Sequence, residues 1–158
     1  MNKDELAAYH AAIRFLTLRE HCAVELRRKL ADRAYATGVI EVVLARLVDD
    51  GYLSESRFAE SFLRSRLRKG ETPRVAAMKA RQKGVDEAAL QLALDEAEAS
   101  FDSDQACRSI LKRRDPQGLR HGDERLWQKH ARFLQNKGFD AATIVRVMND
   151  DKHDQFDD

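Results

Sequence analysis

Cations are the chemistry-bearing residues that stand out in this chain. Arg57, Arg64, Arg66, Arg68, Lys69, Arg74, Lys79, Arg81 and Lys83 all fall between positions 57 and 83. Guanidinium and ammonium groups at that density can hold phosphates or an acidic protein surface through charge-assisted hydrogen bonds. Helix electrostatics offers a competing account, because cations gather in the last turn of a helix, where they oppose its dipole. That account suits Arg66, Arg68, Lys69, Arg81, Lys83 and Lys137, each shortly before a glycine. It suits Arg57 poorly, since Arg57 lies in a predicted first turn. Nor does it explain the next segment: residues 57–84 carry a net charge of +7 and residues 85–104 carry −7. Residues 1–56, 105–138 and 139–158 carry −1, +6 and −4, so the net charge of +1 conceals strong segregation. Fields act over about a Debye length, and this pattern favours an anionic partner over internal pairing alone.

Other chemistry is sparse. The five histidines, His10, His21, His121, His130 and His153, form no His-x-x-x-His or His/Cys cluster, and adjacent His21 and Cys22 diverge on a helix. Cys22 and Cys107 define neither a disulfide framework nor a zinc spacing. Lys69-Gly70-Glu71-Thr72 lacks the order of a phosphate loop, and no nucleophile elbow accompanies any serine. Asp95, Glu96 and Glu98 read as the solvated face of an ordinary helix. No catalytic residue, metal site or cofactor is therefore expected. Phe58, Phe62, Trp127, Phe133 and Phe139 sit at apolar helical positions and read as core, with base stacking on Trp127 the minority alternative.

The elements that must position these cations are helices. In 158 residues there are only 7 Gly and 2 Pro, too few for a many-stranded barrel or sandwich. Charged residues make up 35% and no apolar run approaches the roughly 18 residues of a membrane span, so a cytoplasmic, membrane-free protein is expected. The segment Met1-Asn2-Lys3-Asp4-Glu5 has no apolar h-region, which argues against a secretory signal.

A repeat organises the helices. Gly38-Val39, Gly84-Val85 and Gly138-Phe139 are each followed by small or apolar residues at the same offsets: Leu44, Leu47, Val48; Leu90, Ala93, Leu94; Ile144, Val147, Met148. These offsets share one helical face. In Lys83-Gly84-Val85-Asp86 and Lys137-Gly138-Phe139-Asp140, the glycine closes one helix and the aspartate caps the next. The first copy is weaker, with Ile40 in place of the aspartate and extra residues at Tyr35-Ala36-Thr37. Ser54 reads as a cap with a Leu53–Phe58 staple, Gly70 as a terminator, Thr72-Pro73 as a helix start and Asp123 as another. Helices are expected over 4–19, 22–34, 39–50, 54–69, 72–83, 86–100, 103–114, 123–137 and 140–150, with one long loop from Arg114 to Gly122. The predicted fold is an all-α, elongated tandem array of three three-helix, helix-turn-helix-like repeats, at 1–53, 54–101 and 102–150, followed by an acidic tail at 151–158.

Gly51-Tyr52-Leu53-Ser54-Glu55-Ser56-Arg57-Phe58-Ala59-Glu60-Ser61-Phe62, running on to Arg66, Lys69-Gly70 and Arg74, resembles the RecX family of bacterial regulators of the RecA recombinase. Leu18-Arg19-Glu20-His21-Cys22-Ala23-Val24-Glu25-Leu26-Arg27-Arg28-Lys29-Leu30, Arg81-Gln82-Lys83-Gly84-Val85 and Arg132-Phe133-Leu134-Gln135-Asn136-Lys137-Gly138-Phe139 agree with it. Cys22 departs from the pattern, which usually has Ser, a better cap. The resemblance covers about residues 12–150. It implies a non-enzymatic protein that binds the RecA–DNA filament in its helical groove and mostly inhibits recombinase ATPase and strand exchange. The partners implied are RecA with single-stranded and, secondarily, double-stranded DNA, and a monomer is expected. The residues expected to meet RecA or DNA are Arg57, Arg64, Arg66, Arg68, Lys69, Arg74, Arg81 and Lys83. Arg28, Lys29, Lys112, Arg113, Arg114, Lys129 and Arg132 form a second tier. The alternative is a direct DNA-binding module contacting the phosphate backbone; a scaffold without nucleic acid ranks third.

Overall fold

The computed structural model describes residues 1–154, with side chains as far as Asn149. Among these residues the chain is all-helical, without strands. The helices are α1 (Lys3–Leu18), α2 (Ala23–Asp32), α3 (Thr37–Asp49), α4 (Glu55–Arg68), α5 (Pro73–Lys83), α6 (Glu87–Ala99), α7 (Ser103–Arg114), α8 (Glu124–Lys137) and α9 (Ala141–Asp154). A 3-10 turn, Leu119–Gly122, interrupts the loop expected between α7 and α8. The C-terminus of α9 lies four residues beyond its expected end, and the rest of the expected acidic tail, 155–158, lies outside the described residues.

Helix starts follow the caps read from sequence. Asp86 Oδ2 accepts from Ala89 N at 3.0 Å, Asp140 Oδ1 from Thr143 N at 2.8 Å and Asp123 Oδ1 from Leu126 N at 3.2 Å. Ser54 Oγ accepts from Arg57 N, and Leu53 and Phe58 are both buried. Each such bond satisfies one of the free amides of a first turn, a contribution of about 1 kcal/mol. Cys22 occupies the start of α2, where Glu25 accepts from its backbone N–H and its thiol donates to the Lys83 carbonyl at 3.4 Å.

The first junction differs from expectation. Gly38 does not close a helix; it lies in the first turn of α3, and Ala34 takes the left-handed conformation at φ 67°. With α3 beginning at Thr37, Ile40 falls inside the helix and is buried with Val43, Leu44 and Leu47. The apolar arc is thereby centred nearer the N-terminus, and Val48, expected on the shared face, is 56% exposed. In the later copies every predicted face residue is buried.

Packing gathers the chain into two units, Met1–Ser65 with Ala77–Glu96, and Arg66–Ala76 with the residues from Ala97 onward. Helices α4 and α5 contribute to both. In the first unit, Ala8, Ala11 and Ala12 of α1 meet Leu26 and Leu30 of α2 and Ile40, Val43, Leu44 and Leu47 of α3. The small alanines let these helices approach closely. Glu55 ties three helix starts together: its two carboxylate oxygens accept from Ala23 N and Asp86 N, each at 3.0 Å.

In the second unit, Cys107, Ile110 and Leu111 of α7 pack with Leu134, Phe139, Ile144, Val147 and Met148. The end of α8 docks on the segment before α5, with Thr72 N donating to the Lys137 carbonyl at 2.9 Å. Gly138 adopts φ +110°, and a methyl group there would overlap Thr72 Oγ1 and lie 2.6 Å from Val75 Cγ2. Beside the 3-10 turn, the buried Asp115 carboxylate accepts from Arg120 Nη1 at 2.8 Å and from the Leu119 amide. Arg120 Nε donates to the Met148 carbonyl, so its wholly enclosed guanidinium ties the 3-10 turn to α9.

Two substitutions test this account by urea denaturation. Gly138→Ala, strained in backbone and short of room, is expected to cost about 2–4 kcal/mol. Arg120→Met strands a buried carboxylate and is expected to cost about 3–5 kcal/mol, with Asp115→Leu in the same chain restoring part of the loss.

Candidate functional site

Three of the sequence-selected cations are neutralised locally. Arg57 Nε meets Glu20 Oε1 at 3.0 Å and its Nη2 donates to the Gly51 carbonyl at 2.7 Å, which accounts for a cation in a first turn. Arg66 pairs with the buried Glu71 at 3.4 Å, and Arg81 with Glu87 at 3.0 Å. Arg74 donates to the Gly138 carbonyl. By contrast Arg28, Arg64, Arg68, Lys69, Lys83, Lys112, Arg113, Lys129 and Arg132 are exposed and make no ion pair among the described residues. Asp95, Glu96 and Glu98 are exposed on α6, as expected of a solvated face.

The structure brings two of the second-tier cations into built clusters that sequence reasoning did not assemble. In the first unit, Lys29 Nζ lies 4.9 Å and Arg33 Cζ 4.6 Å from the centre of the Phe15 ring. Lys29 also donates to Nε2 of the buried His21 at 2.7 Å, while the other ring nitrogen of His21 faces the Arg19 carbonyl at 3.0 Å. That pattern places the His21 proton on Nδ1 and leaves Nε2 as acceptor. Burial, followed by the positive charge of Arg19, lowers the Lys29 pKa, and Arg28 and Lys83 act in the same direction. Arg19 itself is held bidentately by Glu25. Burial opposes ionisation of Glu25, but the Arg19 guanidinium outweighs it and holds the carboxyl below its usual range.

In the second unit, Arg114 Cζ lies 3.7 Å and Lys137 Nζ 5.4 Å from the centre of the Phe133 ring. Arg114 Nε donates to Nδ1 of the buried His130 at 3.2 Å, and His130 Nε2 faces Asp115 at 4.0 Å. Lys137 Nζ donates to the Lys69 carbonyl. Phe15, His21, Arg33, His130 and Lys137 were not among the expected site residues. The i,i+4 spacings of Lys29 with Arg33 and of Phe133 with Lys137 were available signals; pairing Phe15 with α2, or Phe133 with α7, required the fold.

Phe58 and Phe139 are core residues as expected, whereas Phe62, Trp127 and Phe133 are half-buried. Trp127 lines an open cleft with Arg120, His121, Gly122, Asp123, Glu124 and Asn149. The carboxylates of Asp123 and Glu124 on this cleft disfavour a phosphate there. Among the described residues no group of three or more His, Cys, Asp or Glu is placed to hold a metal, and no helix is long and apolar enough to cross a membrane.

The architecture is that of a protein built from consecutive three-helix repeats with cations on its surface. Family models for the first, second and third three-helix domains of RecX match residues 8–47, 54–94 and 102–148. The chain belongs to the RecX family. It is 38% identical to the regulatory protein RecX of Halorhodospira halophila over 138 residues, 87% of this chain and 84% of that protein. It is 37% identical to that of Chromohalobacter salexigens over 152 residues, 94% and 95% of the two chains. The crystal structure of RecX from Lactobacillus salivarius superimposes with a TM-score of 0.73 over 95% of this chain and 97% of that one, at 18% identity, and so speaks for the fold.

His21 and His130 make stability depend on pH. Burial is the main cause lowering both pKa values below 6.5. The unfolded chain therefore takes up protons first as pH falls, so stability present above about pH 6.5 is lost on acidification. Urea midpoints are expected to fall between pH 7 and 5.5, a window above ordinary carboxylate titration, and His21→Gln with His130→Gln should flatten that fall.

Proposed function

We propose that this protein is a non-catalytic regulator that binds the RecA–DNA filament, lodging in its helical groove. There it inhibits recombinase ATPase and strand exchange by blocking incoming duplex or by stalling filament growth. The observation that carries this reading is a set of exposed cations that make no ion pair among the described residues: Arg64, Arg68, Lys69, Lys83, Lys112 and Arg113. Membership of a family whose relatives are named regulatory proteins supports it. A surface of this kind attracts the phosphates and acidic groups of a filament made of DNA and protein. The protein acts in the cytoplasm as a monomer, and the filament is its partner.

Reading of a major groove by a recognition helix is disfavoured by the acidic exposed residues of α6, which DNA phosphate repels. Contact with DNA backbone remains the alternative, and titration distinguishes the two. Labelled single- and double-stranded DNA should bind far more tightly when coated with recombinase; equal binding to bare DNA favours a simple DNA-binding module. The DNA-dependent ATPase of RecA should fall with substoichiometric amounts of this protein, and filament binding should weaken steeply between low and moderate salt. An unchanged ATPase would remove the proposal.

A further inference from the structure

Both clusters solve one electrostatic problem in the same way. A surface cation can be fixed in place by a carboxylate, as Arg57 is by Glu20, but its charge is then cancelled. Lys29 and Arg114 are each fixed instead by a buried histidine nitrogen, and both lie over an aromatic face. Neutral imidazole and ring quadrupole hold a cation while leaving its full positive charge for something else. The companion cations, Arg33 and Lys137, lie over the same rings, and no carboxylate pairs with any of the four among the described residues. Pre-ordered long side chains lose less conformational freedom when they bind than mobile ones do.

We infer that each unit carries a cradle for nucleic-acid phosphodiester, made by Lys29 and Arg33 over Phe15 in one and by Arg114 and Lys137 over Phe133 in the other. The inference rests on the reading that the protein works on a DNA-bearing filament, and it names the residues that touch the DNA. Lys29 and Arg114 each engage only one donor with histidine, leaving the others for phosphate oxygens. Phe15 and Phe133 are half-buried, each packed against the core of its unit with two cations over its ring. Paired cations held in fixed positions beside partly exposed apolar side chains suit nucleic acid, whose closely spaced phosphates take both charges while its sugars pack on the apolar edge.

Fluorescence anisotropy of the full chain with fluorescein-labelled oligothymidylate tests the cradles directly. Lys29→Gln with Arg33→Gln, and separately Arg114→Gln with Lys137→Gln, should each weaken binding about tenfold at low salt and reduce the salt slope by about 1.4, the value for two lost single-strand phosphate contacts. A methylphosphonate oligomer, which lacks backbone charge, should not compete, and Lys3→Gln should leave affinity unchanged. In the unaltered protein, bound oligonucleotide should shield Lys29 and Lys137 from acetylation, a readout independent of any variant's folding. Absence of oligonucleotide binding, an unaltered slope in both double variants, or lysines acetylated at the unbound rate would each overturn the assignment. Binding to RecA-coated DNA, measured in parallel, judges the functional reading separately. Filament binding with unchanged slopes leaves that reading standing and transfers the contacts to protein.

Discussion

Short helices leave many unsatisfied backbone groups for each apolar side chain they bury, and this chain is made almost entirely of short helices. Its folding therefore depends on satisfying helix ends within junctions of a few residues. Aspartates at 86, 123 and 140, Ser54 and Thr72 accept from first-turn amides, and Glu55 serves two helix starts at once. Where α8 ends, the same need sets Gly138 against Thr72 so closely that only glycine fits. The polar groups of the junctions thus do structural work that a larger core would do elsewhere.

That use of carboxylates has a consequence for the surface. Glu20, Glu25, Glu55, Glu71, Asp86 and Asp115 are committed to helix ends or to particular arginines. Among the described residues, Arg64 and Arg68 of α4, Lys83 of α5, Lys112 and Arg113 of α7, and Lys129 and Arg132 of α8 make no ion pair. A positive surface arises from the distribution of acids as much as from that of bases. His21 and His130 extend the same economy, because a buried imidazole positions a cation without discharging it. Their burial also makes them poor bases, which keeps them neutral acceptors near neutral pH.

Cap chemistry and periodicity were enough to read most of this molecule in one dimension. The helices, the caps at Ser54, Thr72, Asp86, Asp123 and Asp140, and the buried faces after Gly84 and Gly138 all follow from interactions within about five residues of each other. The first junction escaped because alanine, at position 34, adopts a conformation normally left to glycine, and local preference then points to the wrong residue.

What the amino-acid order determined by itself was helix identity, repeat grammar and the segregation of charge, since all three are properties of neighbours along the chain. Which cations meet a carboxylate and which stay available was decided by tertiary structure. Arg57 finds Glu20 across 37 positions, Arg120 is enclosed with Asp115 and Met148, and Phe15 receives Lys29 and Arg33 from another helix. Coulombic and cation–ring energies depend on separation in space, and only the packing of helices sets those distances.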